Sequence, residues 1–122
     1  MLHHVALEVR PDHIPEDSRF WALAGFESVE VPEALGDGYT WFEKAGTQIH
    51  LMHVEDPVIP SRGHVGIIAR DFEETLERLT EGGFEPVEGR QLWGRRRVKV
   101  TCASGHRVEL MAAPPSRTAL SA

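Results

Sequence analysis

His4, His50, His64 and Glu109 are the side chains whose type and placement point most directly to chemistry. Imidazole nitrogen and carboxylate oxygen are donors that divalent Zn, Fe, Mn, Ni and Co all accept. The chain has 7 histidines, and position separates these three from the rest. A strand sends alternate residues to opposite faces, so parity decides which side chains share a side. Over residues 3–9, Val5, Leu7 and Val9 form one face, and His4, Ala6 and Glu8 the other. Over 47–54, Ile49 and Leu51 oppose Gln48, His50 and Met52. Over 64–70, Val65, Ile67 and Ala69 oppose His64, Gly66 and Ile68. Over 106–112, Val108 and Leu110 oppose Arg107, Glu109 and Met111. Each strand thus carries one of the four donors on the face away from its apolar side. His53 and His106 have the packing parity, His3 shares parity with Val5, and His13 sits in a turn, so none of these is expected to bind metal.

The elements that must position the four donors come in two copies. Ala24-Gly25-Phe26-Glu27-Ser28-Val29-Glu30 returns as Gly82-Gly83-Phe84-Glu85-Pro86-Val87-Glu88. Gly46-Thr47-Gln48-Ile49-His50-Leu51 returns as Gly105-His106-Arg107-Val108-Glu109-Leu110, and His4-Val5-Ala6-Leu7 as His64-Val65-Gly66-Ile67. Echoes in one order at a near-constant offset mark an internal duplication. It divides the chain into halves of about 1–57 and 58–113, joined near Pro57 and Pro60, with a loose tail over 114–122.

Each half reads as strand, helix and three strands. The first helix is expected from Pro15 to near Gly25, since proline suits a first helical turn. Strands are expected over 27–31, 39–45 and 47–54, the last two joined at Ala45-Gly46. In the second half, Asp71 and Glu74 resemble a capping box. Phe72, Leu76 and Leu79 then give the helix an apolar stripe, and Gly82-Gly83 ends it. Strands follow over 85–88, 96–102 and 106–112. The class is α+β, with two βαβββ modules whose curved mixed sheets form a cup.

Bulk properties narrow the partners. A net charge of −6 disfavours a nucleic-acid partner, and no apolar run approaches a membrane span. The single cysteine, Cys102, cannot form an internal disulfide. With no leader-like segment in view, the expectation is a cytoplasmic protein.

Leu2-His3-His4-Val5-Ala6-Leu7, Thr47-Gln48-Ile49-His50-Leu51, Gly63-His64-Val65-Gly66-Ile67 and Gly105-His106-Arg107-Val108-Glu109-Leu110 resemble the vicinal oxygen chelate superfamily, which groups glyoxalases, bleomycin-resistance proteins and extradiol dioxygenases. The resemblance spans about residues 2–112. It implies that ligands come from the first and last strands of each module, the positions that parity selects independently. It also implies a divalent metal and a small substrate whose adjacent oxygens chelate it, through lyase, isomerase, transferase or dioxygenase chemistry. Histidine at position 50 departs from glyoxalase I, where glutamate stands. The two-His, one-Glu sets of extradiol dioxygenases and fosfomycin-resistance-type transferases match His4, His64 and Glu109, so a three-ligand site without His50 stays open.

Proton transfer needs a base, for which Glu8 is the nearest candidate besides Glu109 itself. Glu8 reads equally as a solvated strand-end carboxylate. Arg97 and Lys99 share a face and suit an anionic substrate, or else guard a sheet edge. Trp41, Trp93 and Met52 suit either an apolar pocket or the core. Open sheet edges, together with the resemblance, imply a homodimer, each site lying within one chain or across two. The alternative function is a drug-sequestering, bleomycin-resistance-like protein without chemistry.

Overall fold

The structure is a computed structural model that describes residues 1–115; residues 116–122, most of the tail expected to be loose, lie outside the described residues. The first module comprises β1 (His4–Val9), α1 (Ile14–Leu23), β2 (Glu27–Val29), β3 (Tyr39–Lys44) and β4 (Thr47–His53). The second comprises β5 (Val65–Ile68), α2 (Phe72–Glu81), β6 (Val87–Glu88), β7 (Arg97–Thr101) and β8 (Arg107–Met111). Each module builds its own four-stranded mixed sheet, ordered β1-β4-β3-β2 and β5-β8-β7-β6. In both, the first strand pairs parallel with the last, and the remaining pairs are antiparallel. The expected α+β duplication is therefore present.

The repeated glycine-phenylalanine segments end the helices in the same way. Gly25 and Gly83 take φ of 99° and 92°, a region glycine enters without a Cβ clash. Phe26 N–H then donates to the Trp21 carbonyl and Phe84 N–H to the Leu79 carbonyl, both at 2.9 Å. This closes a Schellman turn and drops each phenylalanine against the core. The helices also cap each other across the module boundary. Arg78 on α2 donates to the Leu23 carbonyl at the end of α1, and Arg19 on α1 donates to the Gly82 carbonyl that follows α2. Each guanidinium thus meets carbonyls that have no partner within their own helix.

One apolar core runs under both sheets, with Phe20, Trp21, Ile49, Leu51, Leu79, Val98, Val108 and Leu110 at 1% exposure or less. Further ties cross the joint. His106 Nε2–H donates to the Glu8 carbonyl at 2.7 Å, and Val58 N–H to Glu8 Oε1 at 2.9 Å. Buried Asp17 on α1 accepts both the backbone N–H and the hydroxyl of Ser104 in the β7–β8 turn.

Several local expectations shift. α1 starts at Ile14, after a 3-10 turn over Pro11–His13, and an unanticipated 3-10 turn occupies Glu33–Leu35. β2, β5 and β6 are shorter than read, which leaves His64 just ahead of its strand. Asp71 precedes α2 but makes no capping bond to it. Its carboxylate instead accepts from Arg78 at 3.1 Å, and that bond holds it below the usual carboxylate pKa.

Candidate metal centre

The first two candidate donors lie on one sheet. In the parallel β1–β4 ladder Ala6 sits beside His50, and both line one cavity. His4, one alternation earlier, stacks on the same ring, centroid to centroid 4.1 Å at 13°. From the other side β3 places Trp41 directly opposite His50, parallel within 2° at 3.8 Å. His50 is thus held between an imidazole and an indole. Its Nε2 contacts Gln48 Oε1 at 2.7 Å, while the Gln48 amide donates to Glu43 Oε1 at 3.0 Å. That relay turns the Gln48 carbonyl toward His50, so Nε2 carries the proton and Nδ1 keeps the lone pair. Burial, then the neighbouring His4 and His3, lower the His50 pKa and favour the neutral, ligating form. His4 is exposed, and its Nδ1 shares a 3.0 Å hydrogen bond with His3 Nδ1, which leaves Nε2 free.

The other two donors lie on the second sheet. His64 Nδ1–H donates to the Arg62 carbonyl at 2.9 Å, and Nε2 lies 3.0 Å from Glu109 Oε1, to which it donates in the protonated ring and beside which it presents a lone pair in the neutral one. A backbone carbonyl that fixes one ring nitrogen is a common way of aiming the other. Glu109 is 8% exposed and stands beside Gly66 in the β5–β8 ladder, the counterpart of His50 beside Ala6. Its second oxygen accepts from Arg97 Nη1 at 3.1 Å. Burial pushes the Glu109 carboxyl upward, but the hydrogen bonds from Arg97 and His64 outweigh it and hold the pKa below the usual value. Arg97 also donates through Nε to the Arg90 carbonyl and lies 5.7 Å over the Trp93 ring.

The four donors therefore form two pairs, one per sheet. Among the described residues no group of three or more His, Cys, Asp or Glu is gathered around one point. A cavity of about 310 Å³ opens beside His4 and His50, bounded by Leu35, Tyr39, Trp41 and Met52, and every residue lining it belongs to the first module. Neither His64 nor Glu109 lines it. A larger cleft of about 700 Å³ opens at the seam by Leu2, Phe26, Lys44, Ile68 and Arg70, but none of the four donors lines it.

Glu8 lies half-buried, with Oε1 taken by the Val58 N–H, so it ties down the segment between modules whatever else it does. The histidines set aside on parity have other work. His53 bonds the Thr40 hydroxyl at 2.8 Å, His106 bonds the Glu8 carbonyl, and His3 leans edge-on against His4. Sequence reasoning passed over Gln48 and the Arg62 carbonyl as orienting groups. Gln48 had one visible signal, its shared parity with His50.

Comparison with known proteins agrees with this architecture. Among curated proteins none matches the chain. Solved structures with the same fold include a Bacillus anthracis protein described as of the glyoxalase family: 23% identity, 91% of this chain and 93% of that one, TM-score 0.81. The fosfomycin resistance protein FosX from Listeria monocytogenes aligns at 21% identity over 93% and 91% of the two chains, TM-score 0.75. A mutant of that protein, complexed with Mn(II) and 1S,2S-dihydroxypropylphosphonic acid, aligns at 19% identity over 93% of each chain, TM-score 0.72. No described helix is long and apolar enough to cross a membrane. A family model matches residues 2–110, and the chain belongs to the Glyoxalase/Bleomycin resistance protein/Dioxygenase superfamily.

Proposed function

We propose that the chain is a metal-dependent enzyme of the vicinal oxygen chelate type, acting as a homodimer on a small substrate with adjacent oxygens. The observation that carries this reading is the pair of half-sites. Repeat-equivalent positions on two sheets each hold two metal-competent donors, and His50 and His64 are each turned by a fixed partner. The first-module cavity holds His4 and His50 but is lined by first-module residues alone, so the second pair must come to it from elsewhere for one centre to form. A second copy supplies that pair, its His64 and Glu109 meeting His4 and His50 of the first chain. The donor set, nitrogen with one ionised carboxylate, fits divalent Zn, Fe, Mn, Ni or Co.

A metal so held supplies Lewis-acid stabilisation of an oxyanion on the chelated substrate. The chain's own residues do the rest. Gln48 and Arg62 aim imidazoles, Glu109 stays ionised, and the stacked Trp41 excludes water from one face of His50. Glu8, on the site face of β1, is the proposed proton acceptor, with Glu109 the other carboxylate in reach. Glu8→Gln keeps an acceptor for Val58 N–H but cannot take a proton, so it separates the two roles of that residue.

A drug-sequestering protein is the second reading, favoured by the Arg97–Glu109 ion pair, which satisfies the carboxylate without a metal. Metal analysis of tag-free protein decides between them. The enzyme reading expects a stoichiometric divalent ion that is lost in His64→Ala and kept in His53→Ala. Metal-free protein that takes up none of the five ions on addition contradicts it.

A further inference from the structure

The two half-sites differ in polarity in a way that selects a substrate. On the first sheet, ladder partners Tyr39 and Met52, and Trp41 and His50, turn to the same side. Leu35, on the 3-10 turn Glu33–Leu35, stands 46% exposed at the rim of the same cavity. No acidic or lysine or arginine side chain lines that cavity. About 310 Å³ bounded by Leu35, Tyr39, Trp41, Met52 and Ala6, with the His4 and His50 imidazoles as its polar edge, suits a flat apolar group of few atoms.

The second sheet presents the opposite character. On β7, Arg97 and Lys99 share a face with Glu109 and Met111 of β8, since Arg97 pairs with Met111 and Lys99 with Glu109 across the ladder. Arg97 is committed to Glu109 and to the Arg90 carbonyl. Glu109 is already occupied by Arg97 and His64. Lys99 therefore stands exposed beside the candidate ligand with its charge unspent, in no salt bridge among the described residues. An ammonium in that position meets an anion.

We infer that the substrate is an anionic molecule with a flat apolar body, such as an aryl-substituted α-hydroxy or α-keto acid. Its ring lies in the first-module cavity against Trp41, Tyr39 and Leu35, and its charged end meets the partner's Lys99. This rests on the cross-chain cup proposed above and deepens it by naming the substrate class. Lys99 and Leu35 are specificity-determining residues; neither is one of the four donors.

Three probes with oxygens on neighbouring carbons isolate the two features: mandelate has both ring and charge, lactate lacks the ring, and 1-phenylethane-1,2-diol lacks the charge. Calorimetry or ligand-observed NMR on the protein as purified is expected to rank mandelate about tenfold above each of the others. Lys99→Met should bring mandelate down to the diol while leaving the diol unchanged. Leu35→Ala should bring mandelate toward lactate while leaving lactate unchanged. Both substitutions are at exposed positions, and matched far-UV spectra and melting curves check folding. Lactate or the diol binding as tightly as mandelate overturns the inference, as does Lys99→Met that keeps the mandelate preference, or no mandelate binding at millimolar concentration. Metal content of the same samples reports separately on the enzyme reading: loaded protein that fails to discriminate sinks the substrate class alone.

Discussion

Trp41 lies directly across the β3–β4 ladder from His50, and their rings are parallel within 2° at 3.8 Å. On the opposite face of His50 lies His4, and its edge is held by Gln48. A donor so enclosed loses little freedom when it takes a ligand, which is why the groups around it should matter for metal affinity.

Gln48→Leu removes the acceptor for the His50 Nε2–H while keeping similar bulk on a half-buried strand position. Metal affinity should fall about tenfold or more, as for other lost orienting partners. The melting temperature should hardly move. Competition with a chromophoric chelator measures this, and unchanged affinity would show that His50 is not a ligand, leaving the three-donor set His4, His64 and Glu109.

Asp17 and Ser104 make the joint between modules pH-sensitive. Burial raises the Asp17 pKa above its ordinary 3.8, although the Ser104 hydrogen bonds and nearby His106 and His13 pull the other way. Because the folded value is raised, the group favours folding when protonated. That contribution is complete below about 3.8 and is lost as pH rises through the folded pKa. Urea unfolding across mildly acidic pH should show this fall in the parent and a flatter curve in Asp17→Asn. Asp17→Ala should cost about 1–3 kcal/mol, since it strands the buried Ser104 N–H.

Ala45 occupies the first position of the β3–β4 turn with φ of 51°, followed by Gly46 at 83°. A two-residue turn with both φ positive suits the twist of a hairpin but penalises a Cβ. Ala45→Asn or Ala45→Gly should stabilise the protein by about 0.5–1 kcal/mol, read by thermal or urea unfolding. Destabilisation would mean the turn is not built this way in solution.

Much of this was legible in the sequence, for reasons that can be named. The repeated Gly-Phe segments announced two helix ends because only glycine closes that turn cheaply. Parity put His4 and His50 on the Trp41 and Met52 side of the first sheet, and Glu109 on the Lys99 and Met111 side of the second, because ladder partners share a face. What stayed hidden is tertiary. The reciprocal Arg19 and Arg78 caps join the modules through their helices, and nothing in strand alternation encodes that choice. Nor does alternation encode how the donors group: among the described residues they stand as two pairs, with no three of them gathered at one point. Asp71 likewise has the local pattern of a cap, yet Arg78, seven residues on, takes its carboxylate. Glu8 reads as a free strand-end acid because its partner, the Val58 N–H, lies in a loop 50 residues away.

Glu8→Gln should leave metal content and stability within about 0.5 kcal/mol of the parent, because the amide oxygen still accepts from Val58 N–H. Exchange of the α-hydrogen of a bound α-hydroxy acid with deuterated water should slow by about a hundredfold or more if Glu8 takes that proton. Exchange at the parental rate would confine Glu8 to holding the segment between modules.

If two half-sites from two chains make one metal centre, mixing two defective chains will restore it. His4→Ala disables the first sheet and His64→Ala the second, so each variant alone should retain no divalent metal. Co-expressed, a mixed dimer pairs the intact first sheet of one chain with the intact second sheet of the other. Roughly a quarter of the parental metal content should return with random pairing. Parental metal content in either variant alone, or no recovery in the mixture, would contradict the account.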